Sequence, residues 1–175
     1  MNGDEPDDPP STSALFAQVY ERLKTMAGRH LAHAPGGTLD TTAVVHELYL
    51  RINSGDELHF DRPEKFFAYA ARAMRHLLAN RARHTLRLRA GGGWTRVTLS
   101  ASDQRLAMDS AEQALAVDEA LNQLGQIDAR AARVAELFVF AGLEQDKIGE
   151  TLGVSRITVA RDWRFARAFL KQALS

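Results

Sequence analysis

The chain has no cysteine, so disulfides and thiolate metal sites are excluded, and the absence fits a reducing compartment. No apolar run approaches the ~18–20 residues that span a membrane. The opening MNGDEPDDPPSTS is acidic and lacks the basic-then-apolar order of a signal peptide. The expectation is therefore a soluble cytoplasmic protein with no membrane insertion. No Walker loop, dinucleotide fingerprint or Ser-His-Asp arrangement is recognisable, and neither strand pairs nor an internal repeat can be seen. Acidic residues are also missing from one long interval, with no Asp or Glu between Glu64 and Asp103. That interval holds Lys65, Arg72, Arg75, Arg81, Arg83, Arg87, Arg89 and Arg96. A formal net charge of zero thus hides a local positive field. A basic block beside aromatic residues suits a polyanion such as nucleic acid.

What is present reads as helix throughout. The 175 residues are enough for one ordinary domain or two small ones. Residues 1–13 are rich in Pro, Asp and Ser and read as a disordered tail. Over 14–34, Leu15, Val19, Leu23, Met26 and Ala27 recur at spacings of three and four, the period of an amphipathic helix. Pro35, Gly36 and Gly37 break it. A second helix is expected over 41–53, with Val44, Val45, Leu48, Tyr49 and Ile52 as its apolar side and Thr41 or Thr42 as its cap. Pro63 suits the first turn of a third helix, which presents Phe66, Tyr69, Ala70, Ala73, Leu77 and Ala79 and reaches about residue 88. Three helices of this length can form a small bundle. Gly91, Gly92 and Gly93 then read as a flexible joint. Residues 94–110 lack clear periodicity and read as a linker, with helix returning at about Ser110. Ala114, Leu115, Val117, Ala120, Leu121 and Leu124 support one segment. Asp128 is expected to cap the next, and Gly142 to close it.

The tail from Gln145 to Leu174 reads as two helices joined by a tight turn. Ile148 and Leu152 share a face of the first. Gly153 is suited to the left-handed conformation that ends it. Ser155 can cap the second helix through its hydroxyl. Val159, Trp163, Ala166 and Leu170 form one apolar stripe, with Ile157, Arg161 and Arg164 roughly opposite. This is the helix-turn-helix pattern, whose second helix can lie in the DNA major groove. Arg156 would then sit where base edges or phosphates are reached. The same pattern also fits an ordinary helical hairpin with a solvated basic face.

Four motifs together resemble the extracytoplasmic-function group of bacterial sigma factors, the two-domain members of the sigma-70 family. They are TAVVHELYLR over 42–51, FFAYAARAMR over 66–75, the triple glycine at 91–93, and IGETLGVS over 148–155 leading to VARDWR over 159–164. The resemblance covers nearly the whole chain. It implies an all-α protein of two small helical domains joined by a flexible linker, the C-terminal one a helix-turn-helix. Residues 1–13 would be the tail, 14–90 the domain that binds core RNA polymerase and recognises and melts the minus-10 element, 91–110 the linker, and 111–175 the domain that reads the minus-35 element. The implied partners are core RNA polymerase, promoter DNA and, as often in the family, an anti-sigma factor. The free protein would be a monomer, without enzyme activity, cofactor or metal.

Carried over by position, Asp40, His46, Glu47 and Leu50 fall in the core-binding helix. Residues 58–65 match the loop that receives a flipped minus-10 base, and His76 and Asn80 match the melting helix, with Arg72, Arg75, Arg81 and Arg83 as phosphate contacts. Ser155, Arg156, Thr158, Arg161 and Arg164 are the minus-35 candidates. The chain has Asn80 where many members have Asp, and Ala160 where many carry a cation, which shifts base reading toward the neighbouring arginines. Two other readings compete. A stand-alone helix-turn-helix regulator explains the tail but not the N-terminal motifs, and would usually dimerise on paired half-sites. A helical metalloenzyme would have to use His30, His33 and His46 with Glu47, a spacing common by chance.

Overall fold

A computed structural model describes residues 41–53, 60, 62–91 and 101–175, together with Tyr20 and Lys24. Among the described residues there are six helices and no strand: α1 (Thr41–Asn53), α2 (Pro63–Ala90), α3 (Ala101–Ile127), α4 (Ala129–Ala141), α5 (Gln145–Leu152) and α6 (Arg156–Ala173). None of them is long and apolar enough to cross a membrane. The acidic tail, the triple-glycine joint beyond Gly91 and most of the helix expected over 14–34 lie outside the described residues, although Tyr20 and Lys24 are helical.

The periodicities place the core where expected. Val45 and Leu48 of α1 are fully buried, as are Phe66, Ala70, Met74 and Leu77 of α2. Burying each large apolar side chain contributes roughly 1.5–3 kcal/mol. Phe60 meets Phe66 edge-on, with ring centroids 5.4 Å apart, and so ties the segment before α2 to the core. In the C-terminal half, Leu121, Leu124, Val134, Leu137, Ile148, Val159 and Ala166 are buried. Trp163 stacks on Phe138 at 4.5 Å, so the indole is half-buried at the edge of the core.

Capping fixes the helix ends. The Asp128 carboxylate accepts from the Ala131 N–H at 2.9 Å, and Gly142 closes α4 at φ 58°. Gly153 ends α5 at φ 66°, and the Ser155 hydroxyl accepts from the Thr158 N–H at 3.2 Å to open α6. All four follow the sequence reading.

Two features differ from it. First, α3 starts at Ala101, well before Ser110, so half of the expected linker is helix. Second, the expected division into two small domains meets a single core. The buried residues form one cluster running from Val45 on α1 to Ala166 on α6. Helix α2 packs more extensively on α3 and α4 than on α1. An amphipathic stripe shows which residues face inward, but not whose surface they meet. The additional buried face of α2, carried by Ala71, Arg75 and Ala82, therefore went unread.

Candidate nucleic-acid interface

The outward face of α6 is set by what its inward face holds. Val159, Asp162 and Ala166 are buried, at spacings of three and four that put them on one side. Asp162 is held by Arg130, whose Nε donates to Oδ2 at 2.5 Å and Nη2 to Oδ1 at 3.3 Å. That hydrogen bond keeps the Asp162 carboxyl below the ordinary carboxylate range, against the opposing effect of burial, and raises Arg130 in turn. The fork-to-carboxylate geometry fixes rotation as well as position. It leaves Ser155, Arg156, Arg161 and Arg164 exposed and Thr158 half-buried. Ile157 stands out among them at 82 % exposure.

The minus-35 candidates thus lie together at the start of α6 and along its outer side. Ser155 and Thr158 are occupied with each other, their hydroxyls 2.9 Å apart. Arg156 approaches Asp146 only to 3.7 Å, with both groups exposed; such a pair contributes at most about 1 kcal/mol. Arg161 stands 3.5 Å from Asp162. Arg164 has no partner among the described residues. The tight turn before α6 depends on Gly149, where an added Cβ would come within 2.7 Å of the Val154 carbonyl oxygen.

The candidates on α2 are not equally available. Arg72, His76 and Asn80 are exposed. Arg81 is tied to Glu47 of α1, with Nε and Nη2 at 3.1 and 2.5 Å from the same carboxylate oxygen. Arg83 donates to Asn80 Oδ1 at 3.0 Å and to Asp118 Oδ2 at 3.0 Å. Arg75 is the least available of them: it is buried, and its guanidinium is spent on Asp118, Asn122 and Glu136. In this arrangement it reaches no phosphate, because α3 and α4 cover it.

On α1, His46 is exposed and stacks on Tyr49. Leu50 is 52 % exposed, an apolar surface with no partner in the core. Glu47 is half-buried and shared with Arg81, so it is less free than a rim charge. Asp40, His30 and His33 lie outside the described residues, as do Leu58, His59 and Asp61 of the expected base-receiving loop.

The sequence reading missed Asp118, Glu136 and Asp162 as buried acids. Each carried a signal. Glu136 interrupts the apolar run from Val134 to Phe140, and Asp162 lies on the stripe of Val159 and Ala166. Asp118 lies one heptad after the buried Ala111. An acid on an inward stripe is rarely buried unless paired.

Compared with protein families, residues 2–175 match a family model described as ECF sigma factor. No curated protein and no solved structure matches the chain.

Proposed function

The chain belongs to the ECF sigma factor family, and on the premise that it is an RNA polymerase sigma factor directing transcription initiation we propose how its helices divide that work. The outer face of α1, with Leu50 exposed and His46 and Glu47 one turn before it, docks on core polymerase, and Asp40 joins that contact. An exposed leucine beside polar groups has the usual anatomy of an interface. The basic helix α2 and the segment before it capture the melted minus-10 strand. Arg72, His76 and Asn80 lie open for this; extruding a base costs a few kcal/mol, which stacking and nearby cations offset. Helix α6 lies in the major groove of the minus-35 element, with Arg156, Arg161 and Arg164 as the reading and anchoring cations. The family contributes no catalysis of its own. The free protein is a monomer, and an anti-sigma factor, as often in the family, is the kind of partner that would hold it inactive.

The observation that carries this reading best is the orientation of α6. The Arg130–Asp162 clamp turns Val159 and Ala166 inward and leaves the arginines and Ile157 outward. An arginine paired with guanine contributes ~1–3 kcal/mol of discrimination.

A salt titration of the holoenzyme on promoter DNA tests it. With Arg161→Ala or Arg164→Ala, affinity should fall. The slope of log affinity against log salt should shrink by about 1 where a phosphate contact is lost. Relaxed specificity at one base pair identifies a base-reading arginine instead. Unchanged affinity and slope in both variants would remove α6 from the interface.

A further inference from the structure

The leading turn of α6 presents an apolar side chain among cations. Ile157, the second residue of the helix, is 82 % exposed. A single exposed apolar residue is ordinary on a protein surface; the position of this one sets it apart. Successive residues of a helix are about 100° apart, so Ile157 points almost directly away from the buried Val159, Asp162 and Ala166. Arg161 and Arg164 lie within about 40° of it, one on either side. The fork from Arg130 to Asp162 fixes the rotation of the helix, and Ile157 therefore stands on the midline of the outer face. Its neighbours at the tip are engaged. The Ser155 hydroxyl accepts from the Thr158 N–H at 3.2 Å and lies 2.9 Å from the Thr158 hydroxyl. Arg156 leans toward Asp146, 3.7 Å away.

We propose that Ile157 is a specificity-determining residue of the minus-35 contact, packing on the C5-methyl group of a thymine in the major groove. The inference rests on the reading of α6 as the minus-35 helix, and adds to it a preference for an A·T pair that guanine-pairing arginines do not supply. Thymine alone among the four bases presents a methyl group in that groove, and apolar side chains read it by contact. Residues at the leading end of a recognition helix are the ones that reach base edges. A β-branched isoleucine has essentially one χ1 rotamer in a helix, so it gives up little freedom when it packs. The charges around Ile157 indicate what covers it. Arg156, Arg161 and Arg164 suit a polyanion, whereas a second copy of the chain on this face would set like charges against each other.

The test uses holoenzyme and a promoter duplex on which it initiates, remade with deoxyuridine in place of each minus-35 thymine in turn, on either strand. Deoxyuridine keeps the pairing edge and lacks only the methyl group. At one position the native holoenzyme should bind about fourfold more weakly, the equivalent of one buried methyl group. Holoenzyme carrying Ile157→Ala should bind the thymine promoter more weakly by at least that factor and be indifferent to deoxyuridine at that position. It should also keep the native slope of log affinity against log salt, because no phosphate contact is lost. Tolerance of every deoxyuridine by the native holoenzyme overturns the proposal, as does a minus-35 element without an A·T pair. A loss at the same position that persists in Ile157→Ala also overturns it, since another group then reads the methyl. The Arg161→Ala and Arg164→Ala titrations separate this inference from the reading beneath it. If they weaken binding while no methyl group matters, the role of Ile157 alone is wrong; if they too change nothing, α6 is not the reading helix.

Discussion

Asp162 is the acid whose ionisation matters most for the orientation of α6. The hydrogen bond from Arg130 holds its folded carboxyl below the ordinary range, whereas the unfolded chain has an Asp near pH ~4. A carboxyl with a depressed folded value stabilises the protein fully above its unfolded value, and that contribution is lost as pH falls through the folded one. Acid below about pH 4 should therefore weaken the attachment of α6. Asp162→Asn should be less stable than the native chain at neutral pH and show a flatter loss of stability in acid. Parallel curves of melting temperature against pH for the two proteins would contradict this. The same residue shows where sequence reading stopped. The stripe Val159, Ala166 and Leu170 was legible, but the charge of Asp162 hid that it belongs to that stripe. Asp118 and Glu136 were hidden in the same way: a buried acid is intelligible only once its arginine is known, and the one they share, Arg75, lies 43 and 61 residues away along the chain.

At the scale of elements, the ends of α4, α5 and α6 were legible because local chemistry decides them. Asp128, Gly142, Gly153 and Ser155 act on backbone groups within a few residues. The start of α3 was not legible, because the stretch from Ala101 has no sustained apolar stripe. Six of its first eight residues, Ala101, Gln104, Arg105, Leu106, Ala107 and Met108, have high helix propensity, so helix forms there without the periodicity that announces it. The turn between α5 and α6 gives a sharp test of local packing. Replacing an interior helical glycine by alanine normally stabilises by ~1 kcal/mol. At Gly149 the new Cβ would meet the Val154 carbonyl oxygen at 2.7 Å, and backbone cannot swing aside as a side chain can. Overpacking of this kind costs about 1–3 kcal/mol, so Gly149→Ala should be net destabilising by roughly 1 kcal/mol. It should also weaken minus-35 binding, because the start of α6 must shift. Chemical denaturation beside a promoter titration checks both, and a stabilised variant would show that the turn relaxes freely.

For the whole molecule, the sequence suggested two units because the triple glycine and the unpatterned stretch after it interrupt the hydrophobic rhythm. Among the described residues the second face of α2 lies on α3 and α4, so the buried residues of both halves form one cluster. No local pattern could announce this, because the complementary surfaces come from segments far apart in the chain. A shared core has a thermodynamic consequence: domains that pack as one body unfold together, whereas tethered ones unfold in separate steps. Trp163, stacked on Phe138, reports on the C-terminal half, and replacing Trp94 by Phe leaves it as the sole tryptophan. Its fluorescence and the far-ultraviolet dichroism of all the helices should then trace one coincident denaturation curve in the free protein. Removing the charges of Asp118 and Glu136 should pull the curves apart, because neutral acceptors leave Arg75 buried without a counter-charge and loosen α2 from α3 and α4. Coincident curves in that variant would mean that apolar contact alone couples the halves.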